Sequence, residues 1–255
     1  MKVVHRTDIG RRAVNEDRSW AQRLENGYML AIIADGMGGH QAGEVASRIA
    51  VETVAERLMP LAPGLTGPAC AEALREAILH ANNVIYEMAS QDERYHNMGT
   101  TIVAVLLNGE NGFVGHIGDS RAYNINDTVI RQLTDDHSLV NELLKSGQIS
   151  LEESRRHPRR NVVIRALGTD AEVEVDINPI QLEQGEILLL CSDGLSDLMT
   201  DEEIAAIVSL PSLSLEEKAE RLLRDALQAG GEDNITVVLL EQTDDADNGI
   251  GKGVE

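Results

Sequence analysis

Four aspartates lie beside glycine, serine or asparagine at the ends of apolar segments, where a carboxylate could bind a metal ion. Asp35 and Asp193 each follow a strongly apolar run and precede glycine, and Asp233 precedes Asn234 and another apolar run. Asp119 lies in a short turn between two apolar segments. Because Asp-Gly and Asp-Asn are common turn dipeptides, each aspartate taken alone is explained as well by a turn as by a site.

The four carboxylates would need cations if the fold brought them together. Two carboxylates about 5 Å apart, at an effective dielectric constant of about 20, repel by roughly 3 kcal/mol. No lysine or arginine stands directly beside any of them, and Arg121 lies two positions after Asp119. Oxygen ligands without cysteine or paired histidine select hard cations such as Mg²⁺ or Mn²⁺. The aspartates are far apart in the chain, so spacing alone does not show that they meet.

The elements that would position these aspartates form an α+β pattern rather than alternating β and α units. Short apolar runs predict strands within 1–10, 28–34, 100–107, 112–117, 121–125, 129–133, 173–180, 187–191 and 235–240. Apolar residues at helical spacing predict helices over 44–59, 69–90, 138–146, 201–208 and 214–229. The closely spaced strands predict antiparallel sheets, with the helices forming separate layers.

The charge balance excludes several classes of function. The 255 residues include 22 Lys plus Arg and 43 Asp plus Glu, a net charge of −21 that would be repelled by nucleic acids and anionic lipid. Two cysteines, no signal peptide and no long apolar run predict a soluble cytoplasmic protein that binds neither nucleic acid nor membrane. Residues 243–255 predict an acidic, disordered tail.

Eight short motifs, taken in chain order, resemble those of the metal-dependent protein phosphatases (the protein phosphatase 2C-like, or PPM, family) in their bacterial form. They are DIGRRAVNED at 8–17, ADGMGGHQAGEVAS at 34–47, GTT at 99–101, GDSR at 118–121, LTDDHS at 133–138, RALG at 165–168, SDGL at 192–195 and DNIT at 233–236. The resemblance implies a central β-sandwich of two antiparallel sheets flanked by helices. It also implies one catalytic domain over 1–242, with a flap at about 137–168.

The same resemblance implies the metal ligands. Asp35 would bridge two Mn²⁺ or Mg²⁺ ions, and the carbonyl of Gly36 would bind one of them. Asp193 and Asp233 would complete the protein ligands of the other ion, and Asp119 would share a weaker third ion with Asp193. Reinforcement of its own turn is the alternative role for Asp119. A metal-bridging water or hydroxide would then attack the phosphorus of phosphoserine or phosphothreonine directly.

Four further residues match family positions around these metals. Arg12 corresponds to the phosphate-binding arginine, whose forked guanidinium suits two phosphate oxygens. Glu16 and Asp17 correspond to acids that hydrogen-bond metal-bound water, and a solvent-facing acidic pair is the alternative. His40 is the candidate general acid because an imidazole titrates near neutral pH. It lies three residues later than the histidine of animal members, and capping or stabilising a turn is its alternative role.

Arginines are concentrated in the predicted flap. We hypothesise that four of them contact the phosphoprotein substrate rather than the reacting phosphate, because a protein with this net charge must still attract a dianion. A solvated polar loop is the alternative. The four residues are Arg155, Arg156, Arg159 and Arg160.

Together these features predict a metal-dependent serine/threonine protein phosphatase whose partners are phosphorylated proteins. By resemblance, such an enzyme opposes a serine/threonine kinase. One alternative is a di-metal hydrolase of small phosphate esters, which would use the same ligands. The other is a phosphoprotein-binding relative with little activity, which predicts lost ligands, whereas Asp35, Asp193 and Asp233 are all present.

Overall fold

The computed structural model describes residues 1–38, 42–126 and 129–243, and these contain two antiparallel β-sheets packed face to face. The strands are β1 (Lys2–Asp8), β2 (Asp17–Arg23), β3 (Met29–Met37), β4 (Gly99–Thr100), β5 (Ile102–Asn108), β6 (Asn111–Ile117), β7 (Arg121–Ile125), β8 (Ile130–Gln132), β9 (Asp176–Gln181), β10 (Ile187–Cys191) and β11 (Ile235–Glu241). The helices are α1 (Ala42–Leu58), α2 (Gly67–Gln91), α3 (Leu139–Lys145), α4 (Leu151–Arg155), α5 (Asp193–Ser196), α6 (Asp201–Val208) and α7 (Leu215–Ala229).

The strand order brings the first and last strands of the chain together. One sheet has the order β1-β11-β10-β7-β8, and the other has the order β2-β3-β5-β6-β9 with β4 paired to the end of β3. The turn between β6 and β7 crosses from the second sheet to the first. Segments from opposite ends of the sequence therefore meet at one end of the sandwich.

Strand β3 shows why the apolar runs are continuous rather than alternating. Its residues Met29, Ala31 and Ile33 pack between the two sheets, whereas Leu30 and Ile32 pack with residues of α1 and α2. The other sheet is covered on its outer face by α5, α6 and α7. A strand with both faces buried is apolar at every position, and each fully buried Leu or Ile contributes about 1.5–3 kcal/mol. The predicted sandwich with flanking helices is confirmed.

Most predicted elements are present, and the exceptions have local causes. Strand β2, which the apolar pattern does not reveal, is a half-exposed edge strand. Helix α4 lies in the arginine-rich segment, and a capping box between Ser150 and Glu153 begins it. The strand predicted from residue 173 begins only at Asp176, because Arg75 of α2 donates to the Val175 carbonyl (2.7 Å).

Two earlier predictions fall outside the described residues. These are His40, between β3 and α1, and the tail from residue 244 onward. Within the ranges that the structure does describe, no helix is both long enough and apolar enough to cross a membrane.

Candidate active site

Five aspartates from five separate segments lie close together at one end of the sandwich. Asp17 begins β2 and pairs in register with Asp35 on β3. Asp193 comes just after β10, and Asp233 comes just before β11, the strand that pairs with β10. Asp119 lies in the turn that joins the two sheets. The sequence predicted four of them as metal ligands and Asp17 as an acid that hydrogen-bonds metal-bound water, and the structure places Asp17 in the same group.

Hydrogen bonds fix the backbone of Asp35. Its carbonyl accepts from the Thr100 hydroxyl (2.8 Å) and the Thr101 N–H (2.9 Å), and its own N–H donates to the Thr101 hydroxyl (3.0 Å). The Thr101 hydroxyl also bonds to that of Ser120 (2.7 Å), the residue after Asp119. Two of the five aspartates are therefore held in a common buried network.

The loop between β1 and β2 is attached to the start of β11. The side chain of Asn234 donates to the carbonyls of Ile9 (2.9 Å) and Val14 (3.0 Å), and its oxygen accepts from the Glu16 N–H (2.7 Å). This loop carries Arg12, whose Nη2 donates to Oδ2 of Asp233 (2.6 Å).

Close backbone contacts at this end of the sandwich require glycine at two positions. A Cβ on Gly36 would lie 2.1 Å from the Gly43 carbonyl oxygen, and one on Gly194 would lie 2.0 Å from that of Asn234. Either side chain would push apart the segments that carry Asp35 or Asp193. The Asp-Gly pairs are thus explained by packing, as well as by the turn.

Burial and mutual repulsion raise the pKa of the central carboxyls. Burial is the largest cause for Asp35, followed by the charges of Asp17, Asp193, Asp119 and Asp233, and the pKa of Asp35 lies well above its ordinary range. The pKa of Asp193 is raised in the same way, by burial first and then by Asp119. These repulsions show that the five carboxylates converge, which the sequence could not establish.

The two flanking carboxyls are perturbed less. Burial raises the pKa of Asp17 to about 6, although Ser192 donates a hydrogen bond (2.8 Å) to its Oδ2. Burial also raises the pKa of Asp119 to about 7, with the charge of Asp136 as the next cause. Neither carboxylate forms an ion pair within the part of the chain that the structure describes.

The cluster fits divalent cations. Oδ1 of Asp17 and Oδ1 of Asp193 are buried without a hydrogen-bond partner, and the donor set consists of oxygen atoms alone. With all five carboxyls ionised, as metal binding requires, the five aspartates and the paired guanidinium of Arg12 carry four net negative charges, which two divalent cations would balance. Hard cations with several oxygen ligands meet both requirements.

A cavity of about 660 Å³ is lined both by aspartates of the cluster and by residues of the predicted flap. The aspartates are Asp119 and Asp193, and the arginines that line it are Arg155 and Arg160. A smaller cavity of about 160 Å³ joins Arg12 to Arg160 beside Asp193. Arg160 therefore borders both cavities, and its guanidinium lies 3.7 Å from Asp197.

The other predicted residues are placed differently. Arg156 pairs with Glu152 (3.3 Å), and 81% of its side chain is exposed. Arg159 is also exposed and lines neither cavity. Glu16 lies near Asp233, and its Oε1 is buried without a partner. Burial raises the pKa of Glu16 above its ordinary value.

Three residues at this site were missed by sequence reasoning. Asp197 borders both cavities, and burial raises its pKa, but no pattern marks it in the sequence. Ser192 and Asn234 support the aspartates from within quoted motifs, next to Asp193 and Asp233. Their position beside the aspartates was the only available signal.

Comparisons with known proteins agree with this geometry. The family described as Protein phosphatase 2C matches residues 6–235. The serine/threonine phosphatase stp of Listeria monocytogenes is 40% identical over 243 residues, which cover 95% of this chain and 96% of the relative. The crystal structure of the serine/threonine phosphatase PstP of Mycobacterium tuberculosis superposes with a TM-score of 0.86 at 37% identity, covering 95% of this chain and 99% of that one.

A solved structure of the PstP catalytic domain in complex with two manganese ions superposes with a TM-score of 0.84 at 36% identity, covering 95% of this chain and 98% of that one. This agrees with the charge balance of the aspartate cluster and with the predicted Mn²⁺ or Mg²⁺. The chain belongs to the protein phosphatase 2C family, the metal-dependent serine/threonine phosphatases.

Proposed function

We propose that this chain hydrolyses phosphoserine and phosphothreonine in proteins at the cluster of five aspartates. Asp35, the Gly36 carbonyl, Asp193 and Asp233 would hold two Mn²⁺ or Mg²⁺ ions, and Asp119 would hold a weaker third ion with Asp193. When bound, the cations supply positive charge that activates water for attack on phosphorus. The observation that carries the proposal is the convergence of five aspartates, two of which have buried carboxylate oxygens without a hydrogen-bond partner.

The chain's own residues would bind and orient the phosphate group. Arg12 lines the smaller cavity with 53% of its side chain exposed, and its second terminal nitrogen would bind a phosphate oxygen. Glu16 and Asp17 would accept hydrogen bonds from water around the cations. Because His40 lies outside the described residues, its role as general acid stays a prediction.

The substrate polypeptide would lie in the larger cavity. Arg155 and Arg160 line its flap side, together with Val140, Leu144 and Leu151. The arginines would attract the phosphoprotein, and the apolar side chains would pack against residues beside the phosphorylated one. Arg156 and Arg159 would act only through long-range charge.

The partnership with a serine/threonine kinase remains a proposal, supported by likeness to bacterial serine/threonine phosphatases. A cytoplasmic location is also proposed. Both cysteines, Cys70 and Cys191, are buried and unpaired, which is compatible with a reducing compartment.

Hydrolysis of a panel of phosphopeptides, nucleotides and an aryl phosphate, with chelator and with restored Mn²⁺, tests the proposal. We expect chelation to abolish hydrolysis, Mn²⁺ to restore it, and phosphopeptides to have the highest kcat/KM. Preference for nucleotides would favour a hydrolase of small phosphate esters. Phosphopeptide binding without turnover in Mn²⁺ would indicate a binding protein, and hydrolysis that survives chelation would contradict the metal mechanism.

A further inference from the structure

A separate cluster of side chains lies at the base of the flap. His137 begins the flap and Arg165 lies near its end, and both contact Asp176 on β9. Nε2 of His137 lies 3.4 Å from Oδ2 of Asp176, and Nη1 of Arg165 donates to Oδ1 of the same carboxylate (3.0 Å). One carboxylate therefore ties the two ends of the flap together. We call His137, Arg165 and Asp176 the flap clip.

The clip also contacts the turn that carries Asp119. The Gly118 N–H donates to Nδ1 of His137 (3.1 Å), and the Gly118 carbonyl accepts from the backbone N–H of His137 (2.9 Å). Gly118 has φ +105°, and a Cβ there would lie 2.6 Å from Thr101, so this turn has little room to shift. A single imidazole thus connects the flap to the residue before Asp119.

A second histidine fixes the ring of His137. The ring of His116 stacks on it, with centroids 4.8 Å apart and planes 12° from parallel. Nε2 of His116 lies 3.1 Å and 3.2 Å from the backbone oxygen and nitrogen of Asp135. His116 is fully buried and His137 is 5% exposed, so packing limits both rings to one arrangement.

The contacts of His137 define its protonation. Because the Gly118 N–H donates to Nδ1, that nitrogen must be an acceptor, and the neutral ring carries its proton on Nε2, 3.4 Å from Oδ2 of Asp176. In this tautomer Nη1 of Arg165, 3.1 Å from Nε2, contacts the ring without donating to it, and its protons serve Oδ1 of Asp176 and the Glu174 carbonyl. Burial, with the nearby His116 and Arg165, lowers the pKa of His137, which keeps the ring neutral. A metal ion on Nε2 would have to displace this proton and the Arg165 guanidinium. The positive charge that balances the Asp176 carboxylate in this cluster is therefore the Arg165 guanidinium and not a metal ion.

We propose that His137 is a positioning residue that couples the flap to the Asp119 turn. Its Nδ1 holds Gly118, its Nε2 holds Asp176, and through Asp176 it holds Arg165 at the other end of the flap. Loss of the Nδ1 contact would loosen the turn and the flap base together, although His137 touches no substrate. The effect on a third metal ion rests on the proposed function, in which Asp119 binds that ion.

Two substitutions distinguish the ring nitrogens. The carbonyl oxygen of asparagine reaches about the position of Nδ1, whereas the amide of glutamine reaches about that of Nε2. We expect His137→Gln to increase hydrogen exchange in the chelated protein about two- to tenfold, both at 117–120 and at 162–166. His137→Asn, which keeps an acceptor near Nδ1 but has no group at Nε2, should restore most protection at 117–120 only. His157→Asn, within the flap but outside the clip, is the matched control and should leave both segments unchanged.

In His137→Gln, exchange that rises in only one segment, or in neither, would overturn the coupling. Equal exchange at 117–120 in the Asn and Gln variants would overturn the role of Nδ1. If the His137 variants do not fold, Asp176→Asn provides the same test, because Asp176 is only partly buried. It should increase exchange at 162–166 and at 117–120, and unchanged exchange would contradict the clip.

Calorimetric titration with Mn²⁺ separates this inference from the proposed function. We expect His137→Gln to weaken the lowest-affinity Mn²⁺ site about two- to tenfold, and to have no further effect in an Asp119→Asn background. An additional loss in that background would overturn the route through Asp119. If Asp119→Asn alone leaves every Mn²⁺ site unchanged, the third-ion role in the proposed function is wrong, while the exchange result still decides whether the clip holds the turn.

Discussion

Two groups of partly buried charges line the larger cavity: the Arg121–Asp136 ion pair and the aspartate cluster. The first is neutralised by protein groups, and the second is not. Asp136, which lines the cavity, accepts a bifurcated hydrogen bond from the single Nε–H of Arg121 (3.0 Å to each oxygen), another from its Nη2 (2.6 Å) and one from Gln132 (2.8 Å). Arg121 also donates to the Tyr123 hydroxyl (2.9 Å). Asp193, which also lines the cavity, has a buried oxygen with no partner.

The difference indicates what each group requires. In the Arg121–Asp136 pair, each charge is balanced and hydrogen-bonded by the other. The pair therefore stabilises the lining of the cavity without any ligand. The aspartate cluster leaves charges and oxygens unsatisfied, which destabilises the metal-free protein and favours cation binding. Folding of the rest of the sandwich must offset that cost.

The largest effect should come from removing a carboxylate of the aspartate cluster. We expect Asp193→Ala and Asp233→Ala each to lower kcat by about 10²-fold or more, because the charge that holds the cations is lost. Steady-state kinetics at several Mn²⁺ concentrations provides the measurement. Asp225→Ala, on the surface of α7, is the matched control with unchanged kcat. Normal turnover in both variants would show that the metal assignment is wrong.

Breaking the Arg121–Asp136 ion pair should instead lower the free energy of unfolding. Arg121→Ala leaves the buried carboxylate of Asp136 without its main partner, and we expect a loss of about 3 kcal/mol in the free energy of unfolding. Chemical denaturation measures it, with Arg48→Ala, which breaks the exposed pair with Glu52, as the control at under about 1 kcal/mol. Equal losses in the two variants would contradict the distinction between the buried and exposed pairs.

The smallest effect is expected on KM, and it should distinguish the flap arginines that line the cavity from those that do not. We expect Arg155→Gln with Arg160→Gln to raise KM for a phosphoprotein several-fold, most at low salt, because these side chains line the cavity. The matched pair, Arg156→Gln with Arg159→Gln, removes the same charge outside the cavity and should change KM by less than about twofold. Equal changes would indicate that only net charge matters.

The ends of apolar runs made part of this site predictable from sequence. Asp35 and Asp193 stand out because each follows a run of residues buried on both faces of a sheet, Asp35 within β3 and Asp193 after β10. Their convergence follows once those strands are placed in the two packed sheets. Asp17 was harder to interpret because β2 is an edge strand with charged residues along it. Its start was therefore not visible as an apolar boundary.

Other features depend on contacts that no local pattern encodes. Arg155 and Arg160 differ from Arg156 and Arg159 only by their direction around the short helix α4 and the turns after it. The flap clip joins His137 and Arg165 to Asp176 on β9, through side chains far apart in the chain. No local pattern in the sequence therefore pairs His137 with Asp176 or with the turn before Asp119.

The most direct test of the account is the thermal stability of Asp35→Asn, measured with chelator and with Mn²⁺. Asparagine keeps the shape of the side chain but removes the charge that four neighbouring aspartates repel. We predict that the chelated variant melts several degrees higher than the chelated wild-type protein, and that Mn²⁺ raises its Tm far less than that of the wild type. A lower Tm in chelator together with an undiminished Mn²⁺ shift would contradict the claim that these carboxylates are uncompensated until cations bind.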